Sequence, residues 1–205
     1  MSDRHPGALE AMRDRVRASF DESVRVKRET LDVSAGAIAE AAELLVEVFR
    51  RGGKVIAFGN GGSAADAQHL AAELAGRFDR ERPALPALAL TANSSDLTAI
   101  GNDYGFEQVF ARLVEAHGRR GDVAVAISTS GNSANVNAAV REARERGLRT
   151  LGLVGKGGGK LAALVDVAVV VPSDSTARVQ ETHITIAHVL CELVEGELFP
   201  APDPA

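Results

Sequence analysis

The sequence predicts an α/β protein in which helices cover both faces of a five-stranded parallel sheet. After Gly52 and Gly53, short apolar segments rich in β-branched residues alternate with helical segments. Turns rich in Gly, Ser or Asn follow these apolar segments, and such alternation is typical of parallel strands joined by helices. Hydrophobic residues make up 45% of the 205 residues, enough for one core without disulfides or a structural metal.

The elements can be placed in order along the chain. Between residues 7 and 51, apolar residues recur at spacings of three and four, which predicts two helices forming an N-terminal arm. The predicted strands span residues 54–58, 85–90, 122–127, 149–154 and 167–171. A final helix is predicted over 177–198 and ends at a Pro-rich segment. We expect a single domain over residues 1–205, with the arm in 1–52 and the α/β core in 53–200.

The predicted final helix is apolar on more than one face. Its apolar residues include Val179, Ile184, Ile186, Val189 and Leu193. A helix that is apolar over much of its circumference is buried on several sides. We therefore expect it to pack on the sheet and on a neighbouring subunit in a homo-oligomer.

Composition excludes several classes of protein. The formal net charge of -5 provides no basic surface for nucleic acid. The single cysteine, Cys191, cannot form an intramolecular disulfide, and the N-terminal segment lacks the apolar stretch of a signal peptide. Apolar runs are far shorter than the roughly 20 residues that span a bilayer. We expect a cytoplasmic protein that binds neither membrane nor nucleic acid.

Two polar turns follow predicted strands. The first, residues 58–63 (FGNGGS), precedes a helix and is a candidate cradle for an anion or a sugar. It lacks a nucleotide-binding spacing, and a tight turn with Ser63 as helix N-cap is the alternative. The second, residues 127–133 (ISTSGNS), carries more hydroxyl and amide side chains than one N-cap requires. These neutral donors can surround a phosphate at a helix N-terminus.

Two helices carry candidate metal ligands. His69 and Glu73 are four residues apart, so they share a helix face and can reach one ion, although a solvated surface pair is the alternative. The final helix carries Gln180 and His188, which lie about 12 Å apart along the axis of a straight helix. Convergence of both on one metal would require long side-chain reach or a second subunit. His183 is expected to be a core or interface residue.

Several ordered motifs together resemble the phosphoheptose isomerase family, a branch of the SIS (sugar isomerase) domain proteins. The resemblance extends from about residue 30 to 197 and rests on GNGGSAADAQHLAAEL, AIGNDYGFEQVF, AISTSGNSANV, VGKGGGKLA and ARVQETHITIAHVLCELVE. It implies a SIS-type three-layer sandwich with a five-stranded parallel sheet, and a homotetramer with active sites at subunit junctions.

The resemblance also implies the site residues. Zinc would be bound by His69, Glu73, Gln180 and His188. The sugar phosphate substrate would be contacted by Asn60, Gly61, Gly62, Ser63, Glu73, Asn102, Asp103, Ser128, Thr129, Ser130, Ser133 and Gln180, with the serine-rich turn holding phosphate. The reaction would convert sedoheptulose 7-phosphate to D-glycero-D-manno-heptose 7-phosphate, the first step toward nucleotide-activated heptoses.

This isomerisation requires proton transfer between C1 and C2 through an enediol. We assign Glu73 and His188 as the catalytic acid/base pair, with zinc polarising the sugar oxygens. Ala177 stands where some family members have an aspartate, so a substrate hydroxyl contact would be absent. Arg77 also matches a family arginine, although a charge near the helix C-terminus is an equal explanation.

Three alternatives remain. A non-catalytic SIS protein that binds the replication initiator would lack ligands at the positions of Glu73 and His188, both of which this chain keeps. A sugar-phosphate sensor would explain the turn at residues 128–133 but not the candidate metal ligands. An isomerase acting on a five- or six-carbon phosphate could share both the fold and the turns.

Overall fold

The computed structural model describes residues 6 to 200, in which seven α-helices and five β-strands follow one another. The predicted domain limits at residues 1 and 205 lie outside the described residues. The helices are α1 (Pro6–Arg50), α2 (Gly62–Ala75), α3 (Ser94–Tyr104), α4 (Val109–His117), α5 (Ala134–Glu145), α6 (Gly159–Ala162) and α7 (Thr176–Leu198). The strands are β1 (Val55–Gly59), β2 (Ala87–Ala89), β3 (Val123–Ser128), β4 (Arg149–Val154) and β5 (Val167–Val170).

The five strands form one parallel sheet in the order β2-β1-β3-β4-β5. Val55 of β1 pairs with Val123 of β3, which pairs with Arg149 of β4. From β1 the chain moves to the edge strand β2 and then returns to place β3 on the other side of β1. This reversal creates a topological switch point between β1 and β3. Strand β2 is shorter than predicted and follows Pro86, which has no N–H to donate to a ladder.

Helices cover both faces of the sheet, which confirms the predicted three-layer α/β architecture. Alternate residues of β1 enter opposite cores. Val55 and Ala57 belong to a core built with α1, α2 and α7, whereas Ile56 and Phe58 belong to a core built with α4, α5 and α6. Within the described part of the chain, no helix combines the length and apolarity needed to cross a membrane.

The N-terminal arm is one helix of 45 residues, so the prediction of two helices is wrong. The apolar pattern is interrupted by a charged segment at residues 21–30, but this segment contains neither Gly nor Pro. Within it, Arg25 forms ion pairs with Glu22 and Glu29, one turn away on either side. Such pairs support a helix, so the backbone continues through the charged segment.

The two halves of α1 have different surroundings. From Val26 onward most of its large apolar residues enter the core, although Leu31 and Val33 are 63% and 67% exposed. The Ser34 hydroxyl donates to the Val170 carbonyl of β5 at 2.8 Å. The first half exposes a row of large apolar side chains with relative exposures of 50 to 71%: Leu9, Met12, Val16 and Phe20. The structure thus builds the second half of the predicted arm into the core.

Candidate active site

The two polar turns identified in the sequence lie side by side. One follows β1 and the other follows β3, and these strands are neighbours in the sheet. Both turns therefore lie at the carboxyl edge of the sheet, at its topological switch point. Ligands of open α/β sheets bind at this place.

The glycine-rich turn begins α2 without a side-chain cap. Gly61, with φ of 57°, occupies the N-cap position, so the interpretation of Ser63 as the cap is wrong. Glycine adopts this backbone conformation without the penalty that a Cβ would bring. Ser63 lies inside the first turn of α2, is only 3% exposed, and its Cβ lies where a Cβ on Gly59 would collide with it. The exposed residues of the turn are Gly61 and Gly62.

Asn60 joins the two turns through a residue that sequence reasoning missed. Its side-chain nitrogen donates to Asn135 Oδ1 at 2.9 Å, and Asn135 Nδ2 donates to Asn60 Oδ1 at 2.9 Å. Asn135 lies in the first turn of α5 and is 4% exposed. Because each amide both donates to and accepts from the other, this pair fixes the spacing between the glycine-rich and serine-rich turns.

The serine-rich turn keeps its hydroxyls close together. The Oγ atoms of Ser128 and Ser133 are 3.1 Å apart, and the Gly131 N–H donates to Ser128 Oγ at 3.2 Å. Ser130 Oγ accepts from the Asn132 N–H at 3.2 Å, and Thr129 and Ser130 are half-buried. Ser133 occupies the N-cap position of α5, yet its hydroxyl caps no helix amide. N-capping thus does not explain this cluster of hydroxyls, as the sequence indicated.

The loop between β4 and α6 braces the serine-rich turn. Gly131 has φ of 64°, and a Cβ there would overlap the Gly158 carbonyl. The Leu161 N–H donates to the Gly131 carbonyl at 2.9 Å, and the Lys160 N–H donates to Asn132 Oδ1 at 3.2 Å. The VGKGGGK segment therefore supports the turn through main-chain contacts.

Three of the predicted metal ligands converge. His69 and Glu73 lie one turn apart on α2, and His188 reaches them from α7. The Nε2 atoms of His69 and His188 are 3.0 Å apart, and His69 Nε2 is 3.0 Å from Glu73 Oε1. The ligand atoms of all three residues lie within 4.8 Å of one another.

This donor set fits zinc. Imidazole nitrogen and carboxylate oxygen are common zinc ligands, and two nitrogens bound to one tetrahedral zinc lie about 3.3 Å apart. The exposed fraction of the side chain is 45% for His69 and 24% for Glu73, so the cluster is open on one side. An open side would leave room for a substrate.

Gln180 lies away from this cluster along the same pair of helices. Its side-chain amide lies against Gly62, where an added Cβ would overlap it. Helices α2 and α7 thus run side by side in the same direction, with Gln180 beside Gly62 and His188 beside His69. Gln180 adjoins the glycine-rich turn, and its role as a metal ligand stays a prediction.

Asn102 and Asp103 lie near the end of α3 and are exposed. Asn102 Nδ2 donates to Asp103 Oδ1 at 2.8 Å. Leu97 and Ile100 of α3 pack on the core opposite α2 and α7. Within one chain, these two residues therefore lie on the other face of the sheet from the His69–Glu73–His188 cluster.

Comparisons with known proteins identify the family of this chain. The SIS domain family model matches residues 19–155. A phosphoheptose isomerase from Roseiflexus sp. (strain RS-1) is 58% identical over 186 residues, which cover 91% of this chain and 92% of that protein. The chain belongs to the phosphoheptose isomerase family of SIS domain proteins.

Solved structures of this family share the fold. Phosphoheptose isomerase from Neisseria gonorrhoeae superposes with a TM-score of 0.86 at 49% identity, covering 90% of this chain and 99% of that one. The enzyme from Francisella tularensis gives a TM-score of 0.85 at 41% identity, covering 88% of this chain and 96% of that one. The predicted SIS-type fold is confirmed.

Two titratable residues, one on α2 and one on α7, have pKa values displaced from their ordinary values. Asp66 lies one turn before His69, and burial raises its pKa to about 6, although His69 opposes the shift. Sequence reasoning missed Asp66, which is identifiable by its i, i+3 spacing from His69. His183 is fully buried, and burial lowers its pKa to about 4 against the opposing effect of the Val154 carbonyl. Its position in the core is as expected.

Two remaining family positions lie at helix ends. Arg77 follows the end of α2 and donates to the Asp79 carbonyl at 3.2 Å rather than to a helix carbonyl. Ala177 lies exposed in the first turn of α7. The expected effect of Ala177 on sugar choice stays a prediction.

Proposed function

We propose that this protein is an isomerase that converts sedoheptulose 7-phosphate to D-glycero-D-manno-heptose 7-phosphate by proton transfer through an enediol. The convergence of His69, Glu73 and His188 carries the proposal, since a sensor or an initiator-binding protein needs no such cluster. The 58% identity to a phosphoheptose isomerase supports the choice of substrate.

Different side chains bind the phosphate, orient the sugar and transfer protons. The hydroxyls and amides of the serine-rich turn bind the phosphate, and the glycine-rich turn with Gln180 orients the sugar chain. Glu73 and His188 exchange protons with C1 and C2 of the substrate. His69, Glu73 and His188 would hold zinc, which when bound polarises the sugar carbonyl and hydroxyl oxygens. Gln180 would join them as the fourth ligand by turning its side chain from Gly62 toward the cluster.

The active form is a homotetramer whose sites lie at subunit junctions. In one chain, Asn102 and Asp103 lie across the sheet from the His69–Glu73–His188 cluster. A second copy is therefore needed to bring its own Asn102 and Asp103 to that cluster. Tyr104 and Phe106, next to Asn102 and Asp103, are 56% and 62% exposed. Burial of these aromatic rings would favour association.

The test is turnover in deuterated water. Purified protein, with and without chelator and added zinc, is incubated with sedoheptulose 7-phosphate while NMR follows product and deuterium at C2. We expect zinc-dependent formation of the aldose, lost by at least about 100-fold in Glu73→Gln and His188→Ala because each removes a group that serves both as a zinc ligand and in proton transfer. The exposed Arg141→Gln variant is the control and should retain activity.

Other outcomes select the alternatives. Turnover of a five- or six-carbon ketose phosphate in preference to the seven-carbon sugar would replace the proposed substrate. A folded oligomer that converts none of these sugars would favour a non-catalytic SIS protein.

A further inference from the structure

Glu195 is a buried carboxylate on α7 with no part in the proposed chemistry. It lies two helical turns after His188 and is 1% exposed. Its two oxygens accept the main-chain N–H groups of Phe78, Asp79 and Arg80 at 2.8, 3.0 and 3.0 Å. One side-chain donor joins them, since Arg82 Nε lies 2.7 Å from Oε1. The carboxylate therefore organises the segment that follows α2.

Arg82 connects this carboxylate to the end of α2. Its guanidinium is fully buried and donates to the carbonyls of Glu73 and Leu74 at 2.8 and 2.9 Å. Carbonyls in the last turn of a helix lack N–H partners within the helix, so Arg82 supplies hydrogen-bond donors to them. The Glu195–Arg82 pair thereby holds the main chain of Glu73, a residue of the metal cluster.

Phe78 connects the same carboxylate to the other helix of the cluster. While its N–H is held by Glu195, its ring centroid lies 5.5 Å from that of His188, at an interplanar angle of 40°. The His69 ring is also a neighbour of His188, with centroids 5.1 Å apart. With two rings packed against it, the imidazole of His188 has little freedom to turn.

We infer that Glu195 is a positioning residue, which acts through Phe78 on the ring of His188 and through Arg82 on the main chain of Glu73. The catalytic meaning of this inference rests on the proposed function. A buried ion pair is weak evidence for stability by itself. Here the pair links α7 to the end of α2, the two helices that carry the His69–Glu73–His188 cluster.

The test uses the full-length protein with Phe78→Leu, Glu195→Gln and the exposed Glu192→Gln as control. Phe78→Leu removes the ring but leaves the carboxylate and its bonds in place. Glu195→Gln puts an NH2 group opposite N–H donors, so at least one oxygen is lost as an acceptor. The readouts are the ring C–H signals of the histidines in the metal-free protein and zinc affinity by competition with a chromophoric chelator.

We expect Phe78→Leu to shift the His188 signal, which is assigned by its loss in His188→Ala. Zinc affinity should fall roughly 10- to 100-fold, as when groups that orient metal ligands are replaced. Glu195→Gln should have both effects with a lower melting temperature, whereas Glu192→Gln should have neither.

Unchanged zinc affinity in Phe78→Leu would overturn the inference, even if Glu195→Gln failed to fold. Zinc affinity decides because loss of the neighbouring ring current shifts the His188 signal by itself. The carboxylate would then be a purely structural group. The histidine signals need neither metal nor substrate. A wild-type protein without sugar-phosphate turnover would therefore count against the proposed function and leave this test intact.

Discussion

His183 lies on the buried side of α7, near the carbonyl of Val154 at the end of β4. Its ring is fully buried, and within the described residues neither ring nitrogen has a hydrogen-bond partner. Because burial disfavours the imidazolium, the pKa of His183 falls from its ordinary value of 6.5 to about 4. Between these values the unfolded chain binds the proton more readily than the folded protein does.

Stability should therefore fall as the pH is lowered from about 6.5 to 4 and should be insensitive to this residue above 6.5. The difference between the pKa values of His183 in the unfolded and folded states corresponds to about 3 kcal/mol of unfolding free energy. We predict that His183→Leu loses less stability over this range than wild type, measured by thermal unfolding at a series of pH values. Asp66 and other groups titrate in both proteins, so the difference between the two curves of stability against pH isolates the contribution of His183. Parallel curves would contradict the prediction.

Individual site residues were predictable to different degrees. The i, i+4 spacing of His69 and Glu73 follows from helix geometry, so their proximity could be expected. The approach of His188 depends on how α7 packs beside α2, which no local spacing encodes. Asn135 was missed because its importance comes from a partner, Asn60, 75 residues away.

At the scale of elements, the contact between the serine-rich turn and the β4–α6 loop is closest at Gly131. An alanine there would have to keep a left-handed φ and push its Cβ into the Gly158 carbonyl. We predict that Gly131→Ala costs about 2 kcal/mol or more of unfolding free energy. It should also raise KM for the sugar phosphate about tenfold, through displacement of the phosphate-binding hydroxyls.

Gly157→Ala is the matched control for this change. Gly157 also has a positive φ, of 73°, but nothing lies within 4 Å of an added Cβ. It should show only the backbone penalty of about 1 to 2 kcal/mol and a KM close to wild type. Equal KM values for the two variants, from initial-rate kinetics, would argue against a role of this contact in phosphate binding.

The elements themselves were largely predictable from local patterns. Strands β4 and β5 and helix α7 begin and end within one residue of their predicted limits. The deviations occurred where a local pattern competes with another effect. Ion pairs around Arg25 carry α1 through a segment without apolar periodicity, and Pro86 delays the start of β2.

At the scale of the whole molecule, the first half of α1 presents an uncovered apolar row. Soluble proteins seldom leave large contiguous apolar patches exposed, so this row favours contact with another copy. We predict that the double variant Val16→Lys, Phe20→Lys yields a smaller assembly than wild type, measured by light scattering after size-exclusion chromatography. The exposed Arg13→Gln variant should keep the wild-type mass, and an unchanged mass in the double variant would exclude this row from the assembly.

The three-layer architecture was predictable because alternation of strands and helices leaves few arrangements. The distribution of the site was not predictable from the chain alone. Sequence motifs give no indication that Asn102 and Asp103 lie across the sheet from His69. Only the fold reveals that the predicted substrate contacts are dispersed over one subunit.

The unbroken α1 also fixes how far its first half extends and in which direction the apolar row points. At 1.5 Å per residue, its 45 residues extend roughly 67 Å, and the part before Val26 about 30 Å. Because the helix is unbroken, the direction of the apolar row in its first half is fixed relative to the buried face of its second half. One residue inserted near position 21 would rotate the apolar row by about 100°, whereas seven would restore its direction to within about 20°. An insertion therefore keeps the apolar row on the same side only when its length is close to a whole number of turns, such as about seven or eleven residues.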